Sequence, residues 1–211
     1  MHPPGEILID RHRIDARVRE LAAEITAALG PSEIRNPKSE ITLVPILTGS
    51  LIFLADLVRH LPLPMRIRLI SVSSYPGDAT TSRGPRLRDA LTDLPASLAG
   101  QHVLVVDDIL DTGQTLALVR AELARRAPAS LRTCVLLRKD RPDAHATPVD
   151  HVAFDIPDRF VVGYGLDHDG YHRNLPDIVE LPTPTPDTTS SNQQSEISNQ
   201  QPRPRPRSVT P

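Results

Sequence analysis

The sequence predicts an α/β domain with a central, mainly parallel sheet flanked by helices. Three features carry that expectation. Residues 103–106 and 134–137 are continuously apolar, as in strands covered on both faces, with no alternation of the half-exposed kind. Apolar residues at helical spacing lie before and between these runs, as crossovers between parallel strands require. Short turns rich in Gly, Thr and Ser join strand ends to helix starts.

The chain has 211 residues, enough for one sizeable core, which the composition places in residues 1–181. From 182 to 211 it is mostly Pro, Thr, Ser, Asn and Gln, too polar to offset its own ordering entropy. That stretch is expected to be a disordered, dispensable tail, although Arg203, Arg205 and Arg207 between prolines could dock on an acidic partner. A net charge of −2 argues against a general nucleic-acid surface. The one cysteine, Cys134, sits in an apolar run, excludes an internal disulfide framework and fits a reducing compartment. No apolar segment of signal-peptide or membrane-spanning character is present, so a soluble cytoplasmic protein is expected.

In chain order, Ile14, Val18, Leu21, Ile25 and Leu29 define a helix that Gly30 and Pro31 are expected to stop. Residues 41–47 read as a strand in which Pro45 is awkward, because proline gives no ladder hydrogen bond. The loop Leu47-Thr48-Gly49-Ser50 leads into a helix expected to bury Leu51, Leu54, Ala55 and Val58. A Gly-bearing loop at that place is a potential anion cradle, though such a glycine more often meets a steric need. Residues 65–73 form the next strand. The long polar stretch 74–84 is either a lid or a disordered connection.

After the central strand and a helix over 115–126, residues 131–137 give another buried strand ending in Arg138-Lys139-Asp140-Arg141-Pro142. A lysine there is usually a solvated loop charge, yet a strand's C-terminal end is where a ligand-facing residue sits. Residues 149–155, 159–164 and 178–181 are further extended segments. Between the last two, Asp167, His168, Asp169 and His172 lack the spacing of a closed zinc site.

The chemistry concentrates after residue 106. Asp107 and Asp108 stand at the end of the apolar strand, and Asp111-Thr112-Gly113-Gln114-Thr115 opens the following helix, whose apolar face is Leu116, Val119 and Leu123. Ligands of open α/β sheets bind beyond the carboxyl ends of the strands. A helix N-terminus offers unpaired N–H groups and a positive dipole end to a phosphate, while Gly113 permits close backbone approach. The acidic pair would repel a bare phosphate and makes sense against sugar hydroxyls or a hydrated Mg²⁺. A buried strand capped by a solvated Asp-rich turn, with Thr112 as a plain N-cap, is the plainer alternative.

This stretch resembles the phosphoribosyl-pyrophosphate (PRPP) motif of the type I phosphoribosyltransferases. Together with Leu47-Thr48-Gly49-Ser50, Ser73-Ser74-Tyr75, Leu136-Leu137-Arg138-Lys139 and the run from Ile156 to Asp167, it resembles the hypoxanthine-guanine phosphoribosyltransferases over residues 6–181. The resemblance implies the type I fold, with a small hood formed by N- and C-terminal segments. It implies transfer of 5-phosphoribosyl from PRPP to a 6-oxopurine, Mg²⁺ as cofactor, and a homo-oligomer, dimer or tetramer.

By the same resemblance, Asp107 and Asp108 hold the ribose hydroxyls or Mg²⁺. Asp111, Thr112, Gly113, Gln114 and Thr115 wrap the 5′-phosphate, and Asp111 is the general base. Thr48, Gly49 and Arg173 meet the pyrophosphate. Lys139 donates to the 6-oxo group, Phe160 stacks on the base, Val161 reads its edge, and Asp167 helps hold a second Mg²⁺ beside the purine site. Ser74 and Tyr75 belong to the lid. The acidic pair is Asp-Asp where the family often has Glu-Asp, the loop at Thr48 lacks the basic residue of some members, and the tail has no counterpart in the motif. Two rivals stay open: a xanthine-preferring sibling, and a PRPP-sensing regulator that binds nucleic acid.

Overall fold

The computed structural model describes residues 5–35, 40–72 and 94–182. Two sheets are present among them. The larger is all parallel, in the order β3 (Met65–Ile67), β2 (Glu40–Leu47), β5 (Gln101–Leu110), β6 (Ser130–Lys139), β7 (His151–Ile156), with the short β4 (Ile70–Ser71) also paired to β2. The smaller is antiparallel, joining β1 (Glu6–Ile9) from the N-terminal segment to β9 (Ile178–Glu180) and β8 (Val161–Val162) from the C-terminal one. This is the expected α/β sheet with the expected hood.

Both faces of β5 are buried, which is why its sequence is continuously apolar. Leu104 and Val106 pack with helices α1 (Arg11–Arg35) and α2 (Leu51–His60), through Leu21, Ile25, Phe53 and Leu57. Val103 and Val105 pack on the opposite side with Leu116, Val119 and Leu123 of α3 (Gln114–Ala124) and Ala144 of α4 (Pro142–Ala146). The helical stripe Ile14, Val18, Leu21, Ile25 and Leu29 is buried along its length. Cys134 is fully buried, and burial pushes its thiol pKa up.

Four expectations need correction. Helix α1 runs on past Gly30 and Pro31 to Arg35, because proline's fixed φ is itself helical. Helix α2 buries Phe53, Leu54 and Leu57, whereas Leu51 is exposed. Its first eight residues are apolar at nearly every position, so spacing left the phase open and the largest side chain took the inward place. The strand over 65–73 is two pieces broken at Arg68 and Leu69, and Ser73 lies outside the described residues. The extended segment 159–164 shrinks to Val161–Val162, because positive φ at Gly163, Tyr164 and Gly165 turns the chain.

The break between β3 and β4 accounts for Pro45. On one side Pro45 pairs in register with Val106. On the other, β3 pairs β2 only through Leu43 and β4 resumes pairing at Ile46. Proline therefore sits where the neighbouring strand is interrupted. At the opposite edge, the Arg17 guanidinium donates to the Val152 and Ala153 carbonyls at 2.9 and 3.0 Å, covering part of edge strand β7. Arg11 joins the N-terminal helix to the C-terminal segment by three hydrogen bonds to Asp177, whose carboxyl pKa it holds down.

Candidate active site

The carboxyl ends of β2 and β5 converge on a cavity of about 450 Å³. Its wall includes Thr48, Gly49, every residue from Asp107 to Leu116, Asp167 and Arg173. The residues expected to hold PRPP thus stand together, although they come from segments over a hundred residues apart.

Gly113 is the N-cap of α3, with φ +76°, and no side chain caps that helix start. Thr112 is therefore not the N-cap that the plainer reading made it. The first amides of α3 point to the cavity end with no side-chain acceptor, the arrangement that suits an anion. Gly113 also packs closely: a Cβ there would lie 1.9 Å from Thr147 Oγ1.

The Thr48–Gly49 loop follows a cis Leu47–Thr48 peptide and is wedged between two partners. A Cβ on Gly49 would fall 1.6 Å from Asp108 Oδ2, and one on Gly165 would fall 2.2 Å from the Gly49 carbonyl oxygen. Absence of side chains at both positions is what lets β2, β5 and the 163–173 segment meet here.

Burial raises the Asp107 carboxyl pKa well above the usual range, and the Asp108 charge beside it pushes the same way. Asp108 is also raised, mainly by burial, although the backbone amides of Asp108 and Ile109 and the Arg173 charge oppose it. The Asp108 N–H donates to Asp107 Oδ1 at 3.1 Å. Arg173 is held by Asp167, Nη2 to Oδ1 2.7 Å, and donates from Nη1 to the Gly165 carbonyl at 2.6 Å. The Gly170 N–H donates to the second Asp167 oxygen at 2.8 Å.

Among the described residues no three His, Cys, Asp or Glu side chains close into a metal cage. Mg²⁺ does not require one, since it is commonly bound through one or two carboxylates with water and substrate oxygens completing the shell. Two adjacent carboxylates, Asp107 buried and Asp108 partly buried, both of raised proton affinity, suit such a cation.

The residues expected around the base flank the cavity without lining it. Lys139, 11% exposed, donates from Nζ to Asp111 Oδ2 at 3.1 Å. Phe160 is half-exposed and makes an edge contact with His168, ring centroids 5.2 Å apart. Val161 is buried on β8. Ser74 and Tyr75, expected in the lid, lie outside the described residues.

Two charged residues here escaped the sequence reading. Asp158 receives Lys139 Nζ at 3.2 Å, and Arg141 Nη1 stands 3.2 Å from Asp158 Oδ2 and 3.4 Å from Asp111 Oδ1. The strand registers carry the signal for them. Lys139 follows Asp111 by 28 residues, continuing the β5–β6 pairing, and Asp158 follows Arg141 by 17, continuing β6–β7.

Comparison with known proteins agrees with this geometry. The family model described as "Phosphoribosyl transferase domain" matches residues 6–169. The hypoxanthine phosphoribosyltransferase of Haemophilus influenzae is 43% identical over 170 residues, 81% of this chain and 91% of that protein. The hypoxanthine-guanine phosphoribosyltransferase of Mycobacterium avium is 42% identical over 177 residues, covering 82% and 84%. A solved structure of the Trypanosoma cruzi hypoxanthine phosphoribosyl transferase, concerned with its C-terminal region, oligomeric state and activity, superposes with a TM-score of 0.73 at 39% identity, covering 84% of this chain and 91% of that one. The chain belongs to the phosphoribosyltransferase family, in its hypoxanthine-guanine branch.

Proposed function

We infer that this chain transfers the 5-phosphoribosyl group from PRPP to hypoxanthine or guanine, giving the nucleotide and pyrophosphate in purine salvage. One observation carries the reading: the acidic pair, the open helix start and the Thr48–Gly49 loop line one cavity, with Asp111 on its wall bonded to Lys139.

As pyrophosphate leaves, positive charge grows on the ribose ring and negative charge on the departing group. Asp107 and Asp108 face the sugar, the first amides of α3 with Thr112 and Thr115 take the 5′-phosphate, and Arg173 with the backbone at Gly49 meets the pyrophosphate. Asp107, Asp108 and Asp167 are the residues that would hold Mg²⁺, which when bound supplies Lewis-acid neutralisation of the pyrophosphate. Asp111 accepts the proton from the purine nitrogen as that nitrogen bonds to the sugar carbon. Lys139, a donor only, favours a 6-oxo group and gives a 6-amino group nothing to accept, which disfavours adenine. Phe160 stacks on the base and the Val161 backbone reads its edge.

The reading confines catalysis to residues 1–181 and leaves 182–211 as a dispensable tail, supported by the tail's composition. It places the enzyme in the cytoplasm, supported by a single buried, unpaired cysteine. No described helix is long and apolar enough to cross a membrane. Assembly as a homo-oligomer is part of the same proposal, supported by family membership.

The direct test is product formation from PRPP and Mg²⁺ with hypoxanthine, guanine, xanthine, adenine and uracil in parallel. Turnover of hypoxanthine or guanine, with adenine and uracil inert, is expected. PRPP binding without turnover of any base would overturn the reading in favour of a regulator, and a clear preference for xanthine in favour of the sibling enzyme.

Gly49→Ala gives a second expected result. The added methyl must displace the Asp108 carboxylate, a flexible side chain, so the fold survives while a sugar ligand moves by an ångström or more. Turnover should fall about 100-fold, the usual effect of such a misplacement, and PRPP affinity should fall with it, while thermal unfolding stays close to wild type. Retained affinity would show that Asp108 can shift without loss.

A further inference from the structure

We propose that Arg141 is a positioning residue that keeps Lys139 free to engage the incoming base, an inference that rests on the phosphoribosyl-transfer reading. Lys139, Asp111, Arg141 and Asp158 form an alternating square of charge. Lys139 Nζ lies 3.1 Å from Asp111 Oδ2 and 3.2 Å from Asp158 Oδ1. Arg141 Nη1 lies 3.4 Å from Asp111 Oδ1 and 3.2 Å from Asp158 Oδ2. Each carboxylate therefore offers one oxygen to each cation, and the four charges sum to zero.

Donation from Lys139 to a 6-oxo group requires its ammonium to leave at least one of these carboxylates. Were it the sole cation, its departure would leave two like charges facing each other, and the pair would hold it back. Arg141 changes that balance. Its planar guanidinium has five N–H donors and can serve both carboxylates at once, so a neutralising bridge stays behind when Lys139 swings away. Arg141 is the more exposed of the two cations, 35% against 11%, which fits a fixed outer bridge around a nearly buried, mobile donor. Asp158 is the charge that makes Arg141 necessary.

The test compares the full chain with Arg141→Ala and with the double variant Arg141→Ala/Asp158→Asn. KM values for hypoxanthine and PRPP are measured with Mg²⁺, together with the calorimetric Kd of IMP. Arg141→Ala should raise the hypoxanthine KM and the IMP Kd roughly five- to tenfold while leaving the PRPP KM within about twofold. Removing Asp158 as well leaves one cation and one carboxylate, and should return both values to within about twofold of wild type. A merely structural Arg141 would impair both substrates and gain nothing from the second change. Wild-type values in the single variant, or a double variant as impaired as the single, would overturn the proposal. A wild-type chain that neither turns over a 6-oxopurine nor binds IMP overturns the underlying reading instead, and this one with it.

Discussion

Asp111→Asn is expected to lower kcat about 10²–10⁴-fold, the contribution usual for a positioned general base, while PRPP binding stays near wild type. Asp111 stands where the cavity proposed for PRPP meets the Lys139 cluster, a place from which one carboxylate could reach a base attacking the sugar. Its Oδ2 accepts from Lys139, whereas Oδ1 is shielded from solvent and has no hydrogen bond, facing Arg141 at ion-pair distance. That oxygen makes no hydrogen bond within the chain, which leaves it to accept from an incoming purine N–H. The amide keeps the shape and can still accept from Lys139, but it cannot take a proton. The phosphate contacts assigned to this loop come from backbone amides and from Thr112 and Thr115, which the substitution leaves in place. An unchanged kcat would remove Asp111 from the base role. Lost PRPP binding with kcat intact would make it a phosphate-loop residue.

How far the sequence could be read follows from what each signal depends on. The strand β5 and its acidic end were legible because burial on both faces demands a continuous apolar run, and a ligand at the strand end demands the polar switch after Val106. The buried stripe of α1 was legible because charged residues interrupt its other faces, and that of α3 was read correctly although Ala117 and the exposed Leu118 stand beside it. That of α2 was not, since Leu51, Ile52, Phe53 and Leu54 are all apolar and tertiary packing chose among them. Pro45 signalled an irregularity but not its place, which lies in the partner strand at Arg68 and Leu69. The gathering of Thr48, Asp107, Asp167 and Arg173 was expected from the family resemblance, since no local pattern links them. Arg141 and Asp158 meet because two strand registers carry on beyond the strands, and register exists only once the sheet is assembled.

The second large effect concerns stability. Asp107→Asn is expected to make the unliganded, metal-free protein more heat-stable at pH 7 while abolishing tight PRPP binding. The folded-state pKa of Asp107 is raised, by burial first and by Asp108 second. For a carboxyl with a raised folded pKa, the neutral form favours folding. That contribution is fully present below the unfolded value of about 4 and is lost as pH rises through the folded pKa. At pH 7 the native protein thus bears the cost that burial and the neighbouring Asp108 impose on the Asp107 carboxylate, and the amide removes it. The amide can keep the hydrogen bond that Asp107 Oδ1 accepts from the Asp108 N–H, and its own N–H₂ can donate to Asp108. The gain should appear as a rise of roughly 2–4 °C in Tm for each kcal/mol relieved in a chain of this size, and should fade as the pH is lowered toward about 4. Adding PRPP with Mg²⁺ should reverse the order, because only the wild-type site couples their binding to folding. A variant less stable than wild type at pH 7, or a gain that persists undiminished in acid, would show that the buried pair is not strained by its charge. The expected gain gives the wild-type residue a simple rationale: the acidic pair destabilises the empty site so that a cation-bearing substrate is what completes it.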